Sequence, residues 1–155
     1  MKITLKKPGA GFYLCAVALA LSLAALVLFI RVYGIFGYTF NRWVFFMNFA
    51  ACWLLVFYAV NTVLAGDSPF WASYLLVAVP FLLLLAGLAF IQPCLSPIGI
   101  YFTVHNMGDV ATMEAGVPPS IAAAALYVLA SVLSAAAGFF SPVGREKKGN
   151  KEEQR

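Results

Sequence analysis

The ionisable side chains that could do chemistry lie close together in one stretch of the sequence. His105, the only histidine, is followed by Asp109 and Glu114. A histidine and two carboxylates could bind a divalent cation or act as acid and base groups in an enzyme. Their gaps of four and five residues match no metal-ligand signature, however, and a lone histidine makes a weak site. The simplest interpretation is that Asp109 caps a short helix while His105 and Glu114 lie in headgroup water.

The three cysteines are the other candidates, because paired thiols carry the chemistry of membrane thiol oxidoreductases. Cys15, Cys52 and Cys94 form no Cys-x-x-Cys pair. The spans predicted below place Cys15 near one membrane edge, Cys52 near the middle and Cys94 at the other edge. We therefore predict that they are buried as small apolar side chains, with Cys94 able to pair only between subunits.

The distribution of charge identifies the class of protein. No Lys or Arg occurs from Trp43 to Gly144, and eight of the ten basic residues lie in the two terminal tails. With 63% hydrophobic and 10% charged residues, the chain could not hide its apolar side chains in a water-soluble globule. The net charge of +4 comes from basic residues that lie beside apolar runs, where we expect them to contact anionic lipid headgroups. We therefore expect no nucleic-acid partner.

Four apolar runs are each near the roughly 20 residues that an α-helix needs to cross a bilayer. The sequence therefore predicts an all-α integral membrane protein with four transmembrane helices in an antiparallel bundle. The first run is too long for the apolar part of a signal peptide, so we expect it to be retained as a helix. We place the helices at about 11–31, 43–64, 69–91 and 120–140, a long loop at 92–119, and charged tails at 1–10 and 141–155.

The basic residues also predict an orientation. An even number of helices puts both termini on one side, and the Lys and Arg residues of the tails make that side cytoplasmic. The loop that holds Arg31 and Arg42 then faces outward, as does the long loop at 92–119. Compact size and short loops favour a multi-pass protein of the cell membrane, specifically a bacterial plasma membrane.

Small residues recur at intervals of four in the first and last predicted helices, and such intervals let helices approach closely. We predict that these two helices pack tightly, either together or across a homo-oligomer. An amide inside a bilayer usually bonds a neighbouring helix, so we interpret Asn48 as structural rather than as a substrate ligand. The predicted packing positions are Ala16, Ala20, Ala24, Asn48, Ala130, Ser134 and Gly138.

The loop at 92–119 is the best candidate for function, because loops of this length in compact proteins are usually functional or disordered. Residues 98–104 suit a strand or an extended segment on the membrane, and 109–115 suit a short helix. We predict that this loop covers the bundle or presents a docking face to another membrane protein. The candidate contact residues are Phe102, Val104, His105, Met107, Asp109 and Glu114.

The sequence predicts a non-enzymatic accessory or assembly subunit of a larger membrane complex. No nucleotide, hydrolase or zinc-protease signature occurs, and we predict no catalytic residue, no metal and no cofactor. All acids lie outside the predicted helices, which argues against proton-coupled transport. The expected partners are the lipid bilayer and a membrane protein or a second copy of the chain. The alternative is a small uncoupled carrier or channel subunit acting as an oligomer, with Asn48 on its path.

Overall fold

The structure, a computed structural model, describes residues 9–65, 70–103 and 110–140, and the regular structure in these ranges is helical. Its four helices are α1, Ala10–Phe36, α2, Arg42–Ala65, α3, Phe70–Thr103, and α4, Val110–Ala137. Each contains a stretch long and apolar enough to cross a membrane. The predicted class, an all-helical protein with four candidate membrane-spanning helices, is confirmed. The charged tails at 1–8 and 141–155 lie outside the described residues.

The connection between α1 and α2 is built from residues that end one helix and begin the next. Gly37 takes the left-handed conformation with a φ of 65°, which a glycine adopts without steric cost. The backbone N–H of Tyr38 donates to the carbonyl of Tyr33 at 3.0 Å and so closes the last turn of α1. At the start of α2, Oδ1 of Asn41 accepts from the backbone N–H of Trp43 at 3.1 Å. α1 therefore runs five residues past its predicted end.

α3 extends far into the region predicted as a loop. It passes through Pro93 and Pro97 and ends at Thr103, where the sequence predicted an end near residue 91. The extended segment predicted from residue 98 is therefore wrong over the part that the structure describes. A proline removes one backbone N–H, but it need not end a membrane helix when another group satisfies the freed carbonyl.

α4 also begins earlier than predicted. It starts at Val110 and continues through Pro118 and Pro119, whereas the sequence predicts a helix that begins only after these two prolines. The last α-helical residue is Ala137, after which the chain forms a turn with hydrogen bonds between residues three apart. The long loop predicted between the last two helices is thus mostly helical, and only 104–109 lies outside the described residues.

The four helices form a ring in which each packs against two neighbours. The contact between α1 and α4 is the most extensive, followed by α3 with α4, α2 with α3, and α1 with α2. The contacts between α3 and α4 show that these two helices are antiparallel. Ser131 of α4 contacts Pro80 of α3, whereas Tyr127, earlier on α4, lies against Gly87, later on α3. The first and last helices therefore close the ring within one chain, which is one of the two arrangements that the sequence predicted.

A glycine sets the distance between α3 and α4. A Cβ atom at Gly87 would lie 2.9 Å from the Cβ of Tyr127, closer than real side chains pack. Gly99, on the same helix, has nothing within 4 Å of the corresponding position. Gly87 is therefore required for close approach, whereas Gly99 is only a weak residue in a helix.

We expect Gly87→Ala to destabilise the bundle by about 1–3 kcal/mol, because the added methyl group overpacks the contact with Tyr127. The measurement is unfolding in mixed micelles as SDS replaces a mild detergent, followed by far-ultraviolet circular dichroism. Gly99→Ala is the matched control and should be neutral or stabilising by up to about 1 kcal/mol, as alanine favours helix. Equal losses in the two variants would contradict the packing described.

Candidate functional site

The polar centre of the bundle is the amide of Asn48, which is fully buried. Its Nδ2 donates to the backbone carbonyl of Ser22 at 3.2 Å and to the hydroxyl of Tyr127 at 3.1 Å. Its Oδ1 lies 3.4 Å from the thiol of Cys52, one turn along α2. Asn48 therefore joins α2 to α1 and to α4, as expected of an amide that bonds neighbouring helices.

Ser22 completes this polar cluster. Its hydroxyl donates to the carbonyl of Leu19 at 2.9 Å, one turn back on α1, and its Oγ lies 3.2 Å from the sulfur of Cys52. The thiol of Cys52 has one hydrogen to offer and lies between Oγ of Ser22 and Oδ1 of Asn48. Cys15 and Cys94 are buried and apart from this cluster, and all three thiols are free.

A second polar contact, between α3 and α4, lies along the same interior. Ser131 donates its hydroxyl to the carbonyl of Pro80 at 3.1 Å, and Ser134 donates to the carbonyl of Ser131 at 2.8 Å. Among the described residues, every buried side-chain nitrogen and oxygen has a hydrogen-bond partner. Polar groups in the interior of the bundle are therefore engaged with one another, and none is left aimed at a ligand.

The predicted packing positions divide between two faces. Ala16, Ala20 and Ala24 lie on the exposed face of α1, while α1 packs through the face that carries Cys15, Ala18, Ser22 and Ala25. In the fourth helix Ala130 and Ser134 are buried, but Gly138 is exposed and follows the end of α4. Contact of the exposed alanines across a homo-oligomer stays a prediction.

The predicted docking residues are only partly described. Val104, His105, Met107 and Asp109 lie outside the described residues, whereas Phe102 on α3 and Glu114 on α4 are both exposed. Within the described ranges no group of three His, Cys, Asp or Glu side chains comes together to hold a metal ion.

α3 and α4 project beyond the other two helices at the end where α1 joins α2, which we call the distal end. Gly116 of α4 lies against the ring of Phe36, the last residue of α1. α4 begins six residues before Gly116 and so continues about 9 Å further, at 1.5 Å per residue. We call the projecting parts of the two helices, 98–103 and 110–115, the distal hairpin.

A series of aromatic rings connects the polar cluster to the distal end. The ring centroid of Tyr127 lies 6.2 Å from that of Phe90, and the centroid of Phe90 lies 5.9 Å from that of Phe29. The centroids of Phe29 and Tyr33 are 4.5 Å apart, and those of Tyr33 and Tyr38 are 5.5 Å apart. Phe29 and Phe90 are fully buried, so these rings form the packed core of the distal half.

Tyr38 satisfies a carbonyl that a proline has freed. Pro97 has no N–H to donate to the carbonyl of Pro93, and the Tyr38 hydroxyl donates to that carbonyl at 3.1 Å. Burial, with a smaller contribution from Cys94, raises the pKa of Tyr38 above its ordinary value of 10.0. The phenol therefore stays protonated near neutral pH and remains a hydrogen-bond donor.

An open pocket of about 540 Å³, the distal pocket, lies between the α1–α2 connection and α3, beside the Tyr38 hydrogen bond. Its aromatic walls come from Tyr33 and Phe40, and its polar side chains come from Thr39, Asn41 and Gln92. None of its described lining residues is charged. No local sequence pattern predicts this pocket, because its walls come from segments some fifty residues apart.

No family is assigned to this bundle by similarity. No protein-family model, no curated protein and no solved structure matches the chain significantly. The arrangement of its own side chains is therefore the basis for inference, and it offers a closed interior, a projecting hairpin and a distal pocket.

We expect Asn48→Ala to destabilise the bundle by about 1–3 kcal/mol, because it leaves the buried hydroxyl of Tyr127 without its donor. Unfolding by SDS in mixed micelles gives the loss, and a double-mutant cycle with Tyr127→Phe should give a coupling of about 0.5–1.7 kcal/mol. Asn61→Ala is the matched control, since the amide of Asn61 donates to the carbonyl of Phe57 on its own helix. A coupling near zero would contradict the bond.

We expect Tyr38→Phe to loosen the end of α3, because the carbonyl of Pro93 loses its donor at a cost of about 0.5–1.5 kcal/mol. Amide hydrogen exchange should quicken in residues 98–103 and stay unchanged around Asn48. The control is Tyr13→Phe, which removes the hydroxyl of an exposed tyrosine at the other end of the bundle. Unchanged exchange in 98–103 would show that Tyr38 does not support this part of α3.

Proposed function

We propose that this protein is a non-enzymatic accessory subunit that assembles with a larger membrane protein through its distal hairpin. The observation that carries the proposal is the exposed apolar surface on the projecting ends of α3 and α4. Phe102 is 64% exposed and Val110 is 52% exposed, although both lie beyond the end of α1. Apolar side chains in such a position favour contact with another protein.

The position of Arg31 supports placing the distal hairpin outside the hydrocarbon. Arg31 is exposed on α1, and its charge keeps that level of the helix near the headgroups. Phe36 lies five residues beyond it, or about 7 Å, and the distal hairpin continues further still. Lipid tails therefore do not cover Phe102 and Val110 in this placement, whereas the ectodomain or interfacial helix of a partner can.

The interior of the bundle favours assembly over the alternative function of a carrier. A solute path across the membrane needs polar groups that are free to bind and release the solute. The amide of Asn48 and the hydroxyls of Ser22, Ser131 and Ser134 instead bond within the protein. These hydrogen bonds hold the helices to one another. The outer surface of the bundle is therefore the better candidate for function.

The proposed orientation places both termini in the cytoplasm and the distal end outside, in a bacterial plasma membrane. Its support is the sequence, in which eight basic residues belong to the two tails. The partner would then meet the distal hairpin at the outer face of the membrane.

We expect affinity purification of the tagged full chain in mild detergent to recover a larger membrane protein in stoichiometric amount, identified by mass spectrometry. Phe102→Ala together with Val110→Ala should reduce its recovery at least fivefold, because both side chains leave the proposed contact. The control is Phe81→Ala, since Phe81 is 63% exposed but lies in the middle of α3.

Equal recovery with the distal variant and the Phe81 control would contradict docking through the distal hairpin. If the purified chain instead moved solutes when reconstituted alone in vesicles, the carrier function would replace the assembly function. Circular dichroism of each variant checks that the helices are retained.

A further inference from the structure

We propose that the distal pocket binds the ring of a neutral sugar, presented by a glycolipid headgroup or as a free saccharide. This inference is independent of the assembly function, because it rests on residues of the α1–α2 connection and of α3 rather than on the distal hairpin. Its volume of about 540 Å³ lies within the range of small-molecule sites, roughly 300–1,000 Å³.

The pocket offers both hydrogen-bond donors and acceptors without charge. Gln92 supplies a carboxamide that can donate and accept, and Thr39 supplies a hydroxyl with the same two capacities. Asn41 is largely engaged within the protein, because its Oδ1 accepts from the N–H of Trp43 and its amide also hydrogen-bonds the side chain of Tyr33. Sugar hydroxyls also donate and accept, whereas an ionic ligand would find no opposite charge among the described lining residues.

A proline lies in the wall of the pocket. Pro93 has no N–H to donate to the carbonyl of Ala89, four residues earlier, and both residues line the pocket. The Tyr38 hydroxyl already donates to the carbonyl of Pro93 itself. The carbonyl of Ala89 thus lacks the N–H donor of an ordinary helix, in the segment of α3 that lines the pocket.

The aromatic wall open to a ligand is Phe40, which is 51% exposed and whose ring centroid lies 5.5 Å from that of Phe29. Tyr33 is only 5% exposed, because it packs among Phe29, Tyr38 and Phe90 behind this wall. An aromatic face held in this way suits a flat apolar surface. A sugar ring has such a surface on its C–H face and hydroxyls around its edge, so it matches both features of the pocket.

The residues beside the pocket favour a location at the level of lipid headgroups. Asn41 immediately precedes Arg42, whose side chain is exposed, and Trp43 is 72% exposed at the start of α2. Charged and tryptophan side chains gather at the level of lipid headgroups. A sugar bound there could remain attached to its lipid, with the acyl chains lying along the bundle.

The test is native mass spectrometry of the full chain with an equimolar mixture of glucosyl diacylglycerol, phosphatidylglycerol and phosphatidylcholine, all with the same acyl chains. One glucosyl diacylglycerol should bind in preference to the other two lipids. Gln92→Leu should weaken that binding by about tenfold, as expected for the loss of the hydrogen bonds of one amide. Asn61→Leu, which removes an amide far from the pocket, should bind as the wild type does.

Thr39→Val serves as a second variant, because Gln92→Leu also adds apolar surface that could itself attract lipid. It should weaken glucosyl diacylglycerol binding by about threefold or more while leaving the two phospholipids unchanged. Displacement of the bound glycolipid by methyl glucoside would identify a free saccharide as a sufficient ligand. Retention against methyl glucoside, with the glycolipid preference intact, would identify the lipid headgroup.

Three results would overturn the proposal. The first is equal binding of the three lipids. The second is a preference for phosphatidylcholine, which would indicate a quaternary ammonium on the aromatic walls, or for phosphatidylglycerol. The third is wild-type glycolipid binding by both Gln92→Leu and Thr39→Val.

Discussion

The pair of hydrogen bonds donated by Asn48 is the interaction on which the rest of the bundle depends. Two of the helices that it connects, α1 and α2, share the smallest packed contact in the ring, so apolar packing alone holds them weakly. The apolar interior offers the amide no substitute partners, and the cost of leaving it unsatisfied makes the bonded arrangement the stable one. These bonds fix the positions of α1, α2 and α4 along the bundle axis, since Ser22 and Tyr127 must lie at the level of Asn48.

The molecule therefore has two regions, a polar centre that holds the helices together and a distal end for which we propose recognition of other molecules. Polar groups at the centre are used in folding, while those at the distal end are arranged around open space. Phe29 and Phe90, both fully buried, pack between the two regions. Walls that are already packed lower the ordering cost of binding, which is consistent with the recognition proposed for that end.

The partners of Asn48 lie on two other helices and could not be predicted from its own stretch of sequence. The number of long apolar helices could be predicted, because each depends on one stretch of sequence. The length of α3 could not, since Pro93 and Pro97 resemble helix ends until Tyr38 provides the missing donor from 55 residues away. Which face of α1 packs against the other helices could not be predicted either. Ala16 and Ala18 have the same side chain, and a helix that is apolar all round gives no periodicity to show which of them is buried.

Closure of the ring by α1 and α4 has a consequence for biosynthesis. The helix made first finds its main packing partner only after the last helix is made, because Val110 follows Phe36 by more than 70 residues. At roughly 5–20 residues per second, α1 waits about 4–15 s for α4. During that interval Asn48 lacks the hydroxyl of Tyr127, so an amide hydrogen of the nascent chain stays without its native acceptor until synthesis reaches the final helix.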